Sequence, residues 1–143
     1  MDGNKVRAIL SNYGKEFRRI QPLVEEYEYL RHRLESPAAI NYNTAHRKGS
    51  YGAESYTVAL LYRAQRAGDR VIEQQTEAVE ALNKALELLE TLPDNNENRR
   101  ALELKYIDLL SDEEAVRVLG ASLTTYYRRI RAGVASLAQN YEE

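Results

Sequence analysis

The sequence predicts an all-α protein, with a long N-terminal antiparallel helical hairpin followed by a C-terminal three-helix domain of the helix-turn-helix type. In two long segments, apolar residues recur at steps of three and four, the pattern of helices packed at a shallow angle. A Pro-Asp-Asn-Asn turn at 93–96 ends the second segment. Two short helical patterns, each opened by a serine cap, lie beyond it. We therefore expect a helical arm at 1–93 and a compact domain at 97–140.

The first long helix is predicted over residues 4 to 35. Pro22 removes one helical hydrogen bond, which predicts a kink or a short break at Ile20–Gln21. Ser36-Pro37 ends the helix. The apolar seam of this helix consists of Val6, Leu10, Tyr13, Phe17, Ile20, Val24 and Tyr27.

An aperiodic segment at 36–53, rich in Ser, Asn, Gly and Ala, is predicted to be an exposed loop. It contains a small basic cluster, His46, Arg47 and Lys48. That cluster is either solvated surface or an accessory contact to nucleic-acid phosphate or to a partner protein.

The second long helix is predicted from Glu54 to Leu92. The stripes of the hairpin are too narrow for a self-sufficient core, so we expect a second copy of the chain to complete them in a homodimer. Gln75 occupies one position of the second seam, where it either sets the register or oligomeric state of the packed helices or lies at a solvent-exposed edge. The apolar members of that seam are Ile72, Val79, Leu82, Leu86 and Leu89.

A third helix is predicted from Glu97 to about Leu110, and the sequence leaves two alternatives for its buried face. One face consists of Ala101, Leu104 and Ile107, and the other of Leu102, Tyr106 and Leu109.

The segment from 111 to 137 has the pattern of two short helices joined by a tight turn. Ser111 and Glu114 have the spacing of a capping box. The helix that they open carries apolar Ala115, Val118 and Leu119 on one side. Gly120 follows, where a left-handed residue commonly ends a helix, and Ser122 caps the next one. That second helix is predicted to bury Tyr126, Ile130, Val134 and Leu137.

A helix-turn-helix places its second helix in the major groove of DNA. From Ala121 to Tyr141 the chain has three arginines and no acidic residue, and small hydroxyls stand at the helix start. Arg99 and Arg100 are further candidates for the basic patch. Helical domains that never contact nucleic acid also contain such helix pairs, so a purely structural interpretation stays open. The DNA-binding residues predicted from the pattern are Ser122, Thr124, Thr125, Tyr127, Arg128, Arg129 and Arg131.

Composition restricts the other classes of function. A net charge of −2 excludes binding to DNA by a general positive field and requires a local patch. The chain has no cysteine, no apolar run of about 20 residues and no signal-peptide core, so we expect a cytoplasmic protein with no membrane contact. Neither His32 nor His46 has a partner at metal-ligand spacing. We expect no catalytic residue, no metal and no cofactor, and hence no enzyme.

The segment ALELKYIDLLSDEEAVRVLGASLTTYYRRIRAGVASLA resembles the sigma-factor region-four type of helix-turn-helix. With its long helical N-terminal part and central loop, the whole chain is similar to the ArpU/RinA-type late transcription regulators of phages and related mobile elements. The family's turn falls on Leu119, Gly120 and Ser122. The resemblance implies that its major-groove positions are Leu123, Thr124, Thr125, Tyr127 and Arg128. Two positions depart from its pattern. Val116 stands where a small buried residue is usual, and Tyr126 replaces an aliphatic one.

The resemblance implies a transcription activator of late genes that binds promoter DNA and contacts RNA polymerase. Two other interpretations remain. A small-terminase-like DNA packaging subunit would also join a helix-turn-helix to helical oligomerisation segments, but would form a large ring. An adaptor would dock its terminal domain on a protein and bind no DNA.

Overall fold

The computed structural model describes residues 1–35 and 51–142. Over these residues the regular structure is entirely helical, which confirms the predicted all-α class for this part of the chain. Most of the predicted loop at 36–53, including His46, Arg47 and Lys48, lies outside the described residues. None of the helices in the described ranges is long and apolar enough to cross a membrane.

Six α-helices follow one another along the described chain, and a π-helical segment, Glu103–Ile107, directly continues the fourth. The helices are α1 (Gly3–Arg18), α2 (Ile20–Glu35), α3 (Tyr51–Leu89), α4 (Glu97–Leu102), α5 (Asp112–Leu119) and α6 (Leu123–Glu142).

The predicted first helix is two helices, broken at Arg19. The prediction of a break caused by Pro22 is thus confirmed, one residue before the expected place. Pro22 is the third residue of α2, where its missing N–H removes no intrahelical bond.

The long helix α3 begins at Tyr51, three residues before the predicted start, so the predicted loop extends too far at its C-terminal end. It ends at Leu89 rather than Leu92. Asn96 then caps α4, because its side-chain oxygen accepts bonds from the N–H groups of Asn98 and Arg99 at 2.8 and 3.0 Å.

The chain forms two compact units, and their boundaries fall within the predicted arm. One unit consists of Met1–Phe17 and Glu77–Glu143, and the other of Arg18–Thr76. The predicted division by function, into an arm at 1–93 and a DNA-binding domain at 97–140, stays a prediction.

The core of the second unit is small, with Leu30, Leu60, Ala64 and Ala67 buried. The core of the first unit consists of Val6, Leu10, Ala85, Leu88, Leu89, Leu92, Ala101, Leu102, Leu104, Ala115, Tyr126, Ile130, Val134 and Leu137.

Most residues of the predicted apolar seam of α3 are not buried in a core. Leu89 is buried, but Ile72, Val79 and Leu86 are 62%, 54% and 36% exposed. Small residues instead form the buried face of this part of α3: Ala78, Ala81 and Ala85, followed by Leu88.

The third predicted helix changes its winding at Glu103, where a π-helical segment replaces the α-helix. The N–H of Asp108 bonds to the carbonyl of Glu103, five residues back, at 2.9 Å. Residues from both predicted faces are buried: Ala101, Leu102 and Leu104.

The helices α4 and α6 cross in close contact at Gly133. A Cβ atom added to Gly133 would lie 2.7 Å from Leu102 Cδ1 and 3.4 Å from Asn98 Cβ. Leu102 is fully buried, so its side chain has no free space into which it could move.

We expect Gly133→Ala to lower the free energy of unfolding. Overpacking a core costs about 1–3 kcal/mol, which exceeds the gain of up to about 1 kcal/mol from replacing a helical glycine. The measurement is urea denaturation. Leu102→Ala in the same chain makes room for the new methyl group, so the double variant should be more stable than the sum of the two single effects implies. Strict additivity would contradict the close contact.

Candidate functional site

The N-terminus of α5 is capped by Ser111. Its Oγ accepts a bond from the N–H of Glu114 at 3.3 Å, and its hydroxyl donates to the Glu114 carboxylate at 3.0 Å. The predicted pairing is present, although the carboxylate binds the serine hydroxyl instead of the backbone N–H. Gly120 ends the helix at φ 64°, the left-handed conformation that favours glycine.

The helix α6 begins where the sequence predicted it. Ser122 Oγ accepts a bond from the N–H of Thr125 at 3.2 Å and donates to Thr125 Oγ1 at 2.9 Å. Residues 120–122 are thus the whole connection between two independently capped helices. This short connection restricts how α6 can leave α5.

One side of α6 is buried as predicted, by Tyr126, Ile130, Val134 and Leu137. On α5 the predicted inward face is partly wrong, because Val118 is 55% exposed whereas Ala115 is fully buried. Val116 packs at the edge of the core. The small residue that α5 buries is therefore Ala115, next to Val116.

The opposite side of α6 faces solvent. Leu123, Thr124, Arg128 and Arg131 are exposed, and the last three share one helical face at steps of four and three. Neither Arg128 nor Arg131 makes an ion pair within the described ranges. The structure thus brings these four predicted site residues together near the start of α6.

Other predicted site residues contribute to the fold itself. The Tyr127 hydroxyl donates to Asp112 Oδ2 at 2.7 Å, which ties α6 to the first turn of α5. This hydrogen bond also raises the pKa of Tyr127. Arg129 is only 23% exposed and forms an ion pair with Glu97 at 3.3 Å, and Thr125 belongs to the Ser122 cap.

The guanidinium of Arg99 stabilises the turn before α4, and its place in a basic patch stays a prediction. It donates to the Leu92 carbonyl at 2.8 Å and contacts Asp94 and Glu103 at 2.7 and 2.8 Å. The Glu103 hydrogen bond is the main cause that raises the pKa of Arg99. Its side chain is 16% exposed, while Arg100 remains half exposed beside Glu103.

Arg117 was not predicted as a site residue. It is exposed in the last turn of α5, one residue from Val118 and three from the Gly120 turn. A cation near a helix C-terminus is commonly explained by the helix dipole alone, so the sequence offered no separate signal for it. Residues 1–35 and 51–142 contain no cluster of three or more side chains suited to hold a metal ion.

The hydroxyl of Tyr126 is buried and makes no hydrogen bond of ordinary geometry with the residues that the structure describes, although the Asp112 carboxylate lies close to it. Burial raises the pKa of this hydroxyl to about 12, and the nearby Asp112 carboxylate adds to the effect. An unpaired buried polar group costs folding free energy.

We expect Tyr126→Phe to stabilise the protein by about 1 kcal/mol at neutral pH, because the substitution removes that unpaired hydroxyl. The pKa of Tyr126 in the folded protein exceeds the unfolded value of about 10. The stability that depends on a protonated Tyr126 is therefore fully present below about pH 10 and is lost as the pH rises towards 12. Tyr126→Phe should therefore reduce the alkaline loss of stability. Denaturation curves at neutral and alkaline pH measure both effects, with exposed Tyr141→Phe as control. A less stable Tyr126→Phe protein at neutral pH would contradict an unpaired hydroxyl.

A family model for proteins of unknown function, DUF1492, matches residues 58–138, which is more than half of the chain. The match runs from within α3 to within α6 and so includes α4, α5 and the connection at Gly120. No curated protein and no solved structure matches the chain. The chain therefore belongs to the DUF1492 family.

Proposed function

We propose that this protein is a sequence-specific DNA-binding transcription regulator whose recognition helix is α6. The observation that carries the proposal is the division of α6 into two faces. One face is fully buried, and the other presents Thr124, Arg128 and Arg131 to solvent without ion-pair partners in the described part of the chain. A recognition helix needs one face that packs firmly against its own domain and an opposite face with polar groups that can bind DNA.

Each outward residue has a chemical task in this proposal. Arg128 is suited to donate two hydrogen bonds to a guanine edge, the most common specific contact in the major groove. Leu123 offers an apolar surface to a thymine methyl group, and Thr124 a hydroxyl to a base or a phosphate. Arg131, further along the same face, and Arg117 on α5 are assigned to phosphates.

The contacts within the fold narrow the proposed set of DNA-reading residues. Tyr127 and Arg129 are held by Asp112 and Glu97, so we assign them to the placement of α6 rather than to base recognition. Contacts of Tyr127 and Arg129 with DNA other than base recognition stay a prediction. The same holds for DNA contacts of Ser122 and Thr125, whose hydroxyls hydrogen-bond to each other.

The similarity to ArpU/RinA-type regulators supports a more specific role. We propose an activator of late genes in a phage or related mobile element, acting in the cytoplasm as a homodimer that contacts RNA polymerase at the promoter. The finer architecture belongs to this proposal: a hairpin arm for self-association or polymerase contact, and a helix-turn-helix domain for DNA. The exposed apolar side chains of Val118 and Leu123 favour a second candidate, an adaptor that docks on protein.

Selection of genomic DNA fragments by the purified protein tests the proposal. On a selected fragment, binding should weaken as salt rises, because each neutralised phosphate contributes roughly −0.9 to the slope of log affinity against log salt. A homodimer with Arg117 and Arg131 of both copies on phosphates gives a slope of about −3 to −4. A footprint should show an inverted repeat. Binding to no fragment would favour the adaptor.

We expect Arg128→Ala to weaken binding to the selected fragment by about 1–3 kcal/mol and to affect random duplex far less, because it removes a base contact. Arg131→Ala is the matched control, since loss of a phosphate contact should weaken binding to both duplexes alike. Titration of both DNAs at one salt concentration gives the comparison. An equal loss on both duplexes would reduce Arg128 to a phosphate contact, and no loss would remove α6 from the DNA interface.

A further inference from the structure

Three arginines follow one side of α3 in the second compact unit. Arg63, Arg66 and Arg70 recur at steps of three and four, so their side chains leave the helix on the same side. They lie beside the stripe of α3 that is buried at Ala64 and Ala67, and all three are exposed. We name this surface the arginine row; it consists of Arg63, Arg66 and Arg70.

The positive charge of the arginine row is not neutralised within the described part of the chain. Asp69 and Glu73 stand at its edge, but no carboxylate forms an ion pair with any of the three guanidinium groups. The Arg66 guanidinium lies 5.9 Å from the centre of the Tyr62 ring, a contact that orients the group and leaves its charge in place. Because like charges three and four residues apart repel each other, the row weakens the helix that carries it.

A fourth arginine extends this positive surface from α2. The Arg33 guanidinium donates hydrogen bonds to the hydroxyls of Tyr29 and Tyr56, and it lies 5.9 and 5.8 Å from the centres of their rings. Tyr56 stands seven residues before Arg63 and therefore on the same side of α3 as the arginine row. The second unit thus presents four arginines on one surface, and one of them is held in place by two tyrosines.

We propose that the arginine row binds the phosphate backbone of double-stranded DNA without regard to base sequence. A guanidinium group can donate two parallel hydrogen bonds to one phosphate, and about 10 Å of helix carries all three groups.

The composition of this surface favours DNA over an acidic protein. Protein–protein interfaces have an apolar centre, whereas protein–DNA interfaces are more polar and far more positive. The large exposed aliphatic residues in this part of α3 are Val58, Leu61 and Ile72, and at helical spacing they lie on another side of the helix. The arginine row therefore offers charge and hydrogen-bond donors without an apolar centre.

The inference rests on the proposed function and adds a second kind of DNA contact to it. In that proposal α6 reads bases, while the arginine row contributes affinity that is the same for every sequence. Because the chain has a net charge of −2, its attraction to DNA requires a local concentration of positive charge, and the row is one.

The test removes the charge of the row by Arg63→Gln with Arg66→Gln and Arg70→Gln, since glutamine favours the helix about as well as arginine does. The probes are a random-sequence duplex and the selected genomic fragment. Affinity for both should fall by the same factor, about tenfold or more at low salt. The slope of log affinity against log salt should become less steep by about 2.7 per copy, in addition to what Arg117 and Arg131 contribute.

Two controls separate phosphate binding from general effects of charge and folding. Lys5→Gln with Lys15→Gln and Lys84→Gln removes the same charge from exposed positions of the first unit and should leave the slope unchanged. Without DNA, the triple arginine variant should resist urea at least as well as wild type, because the repulsion within the row is gone. A less stable variant would show that the arginines serve the fold and would contradict the inference.

The remaining outcomes distinguish this inference from the proposed function. A wild type that binds no random duplex at low salt overturns the inference, as does a triple variant with wild-type affinity for both duplexes. Binding of a polyglutamate peptide that requires the row, with DNA binding unchanged in the triple variant, would assign the row to an acidic protein. Failure to select any fragment, with random-duplex binding that still requires the row, would refute sequence reading by α6 and leave this inference standing.

Discussion

The close approach of α4 and α6 at Gly133 is the constraint on which the rest of the first unit depends. Leu102 fills the space where any other residue at 133 would place its Cβ. This contact sets how closely α6 packs against α4, while the apolar residues of α6 decide which of its sides faces the core. The chemistry proposed for Arg128 and Arg131 exists only because the opposite side of their helix is fully occupied.

Polar contacts refine the position that packing sets. The Tyr127–Asp112 hydrogen bond ties the start of α6 to the start of α5, and the Arg129–Glu97 ion pair ties α6 to α4. These side chains lie within one turn of Arg128. In such a helix some polar side chains bond within the fold and hold the helix rigidly, while neighbouring ones stay available as hydrogen-bond donors to a ligand. Rigidity of this kind limits the conformational entropy that is lost on binding.

The helix α3 shows how one helix can carry two apolar faces of different kinds. Alanines allow close helix packing within the chain, and larger aliphatic side chains remain for another contact.

Local patterns in the sequence determined the helical class, the break near Pro22, the capped ends at Ser111, Gly120 and Ser122, and the buried face of α6. Each depends on residues within a few positions of one another, so the chain encodes it directly. Tertiary structure alone decided which stripe of α3 is buried, because a heptad pattern does not say whether the chain or a partner covers it. It also decided the π-helical turn after α4 and the use of Arg99 and Arg129 in ion pairs. An arginine looks the same in sequence whether a carboxylate from another helix reaches it or not.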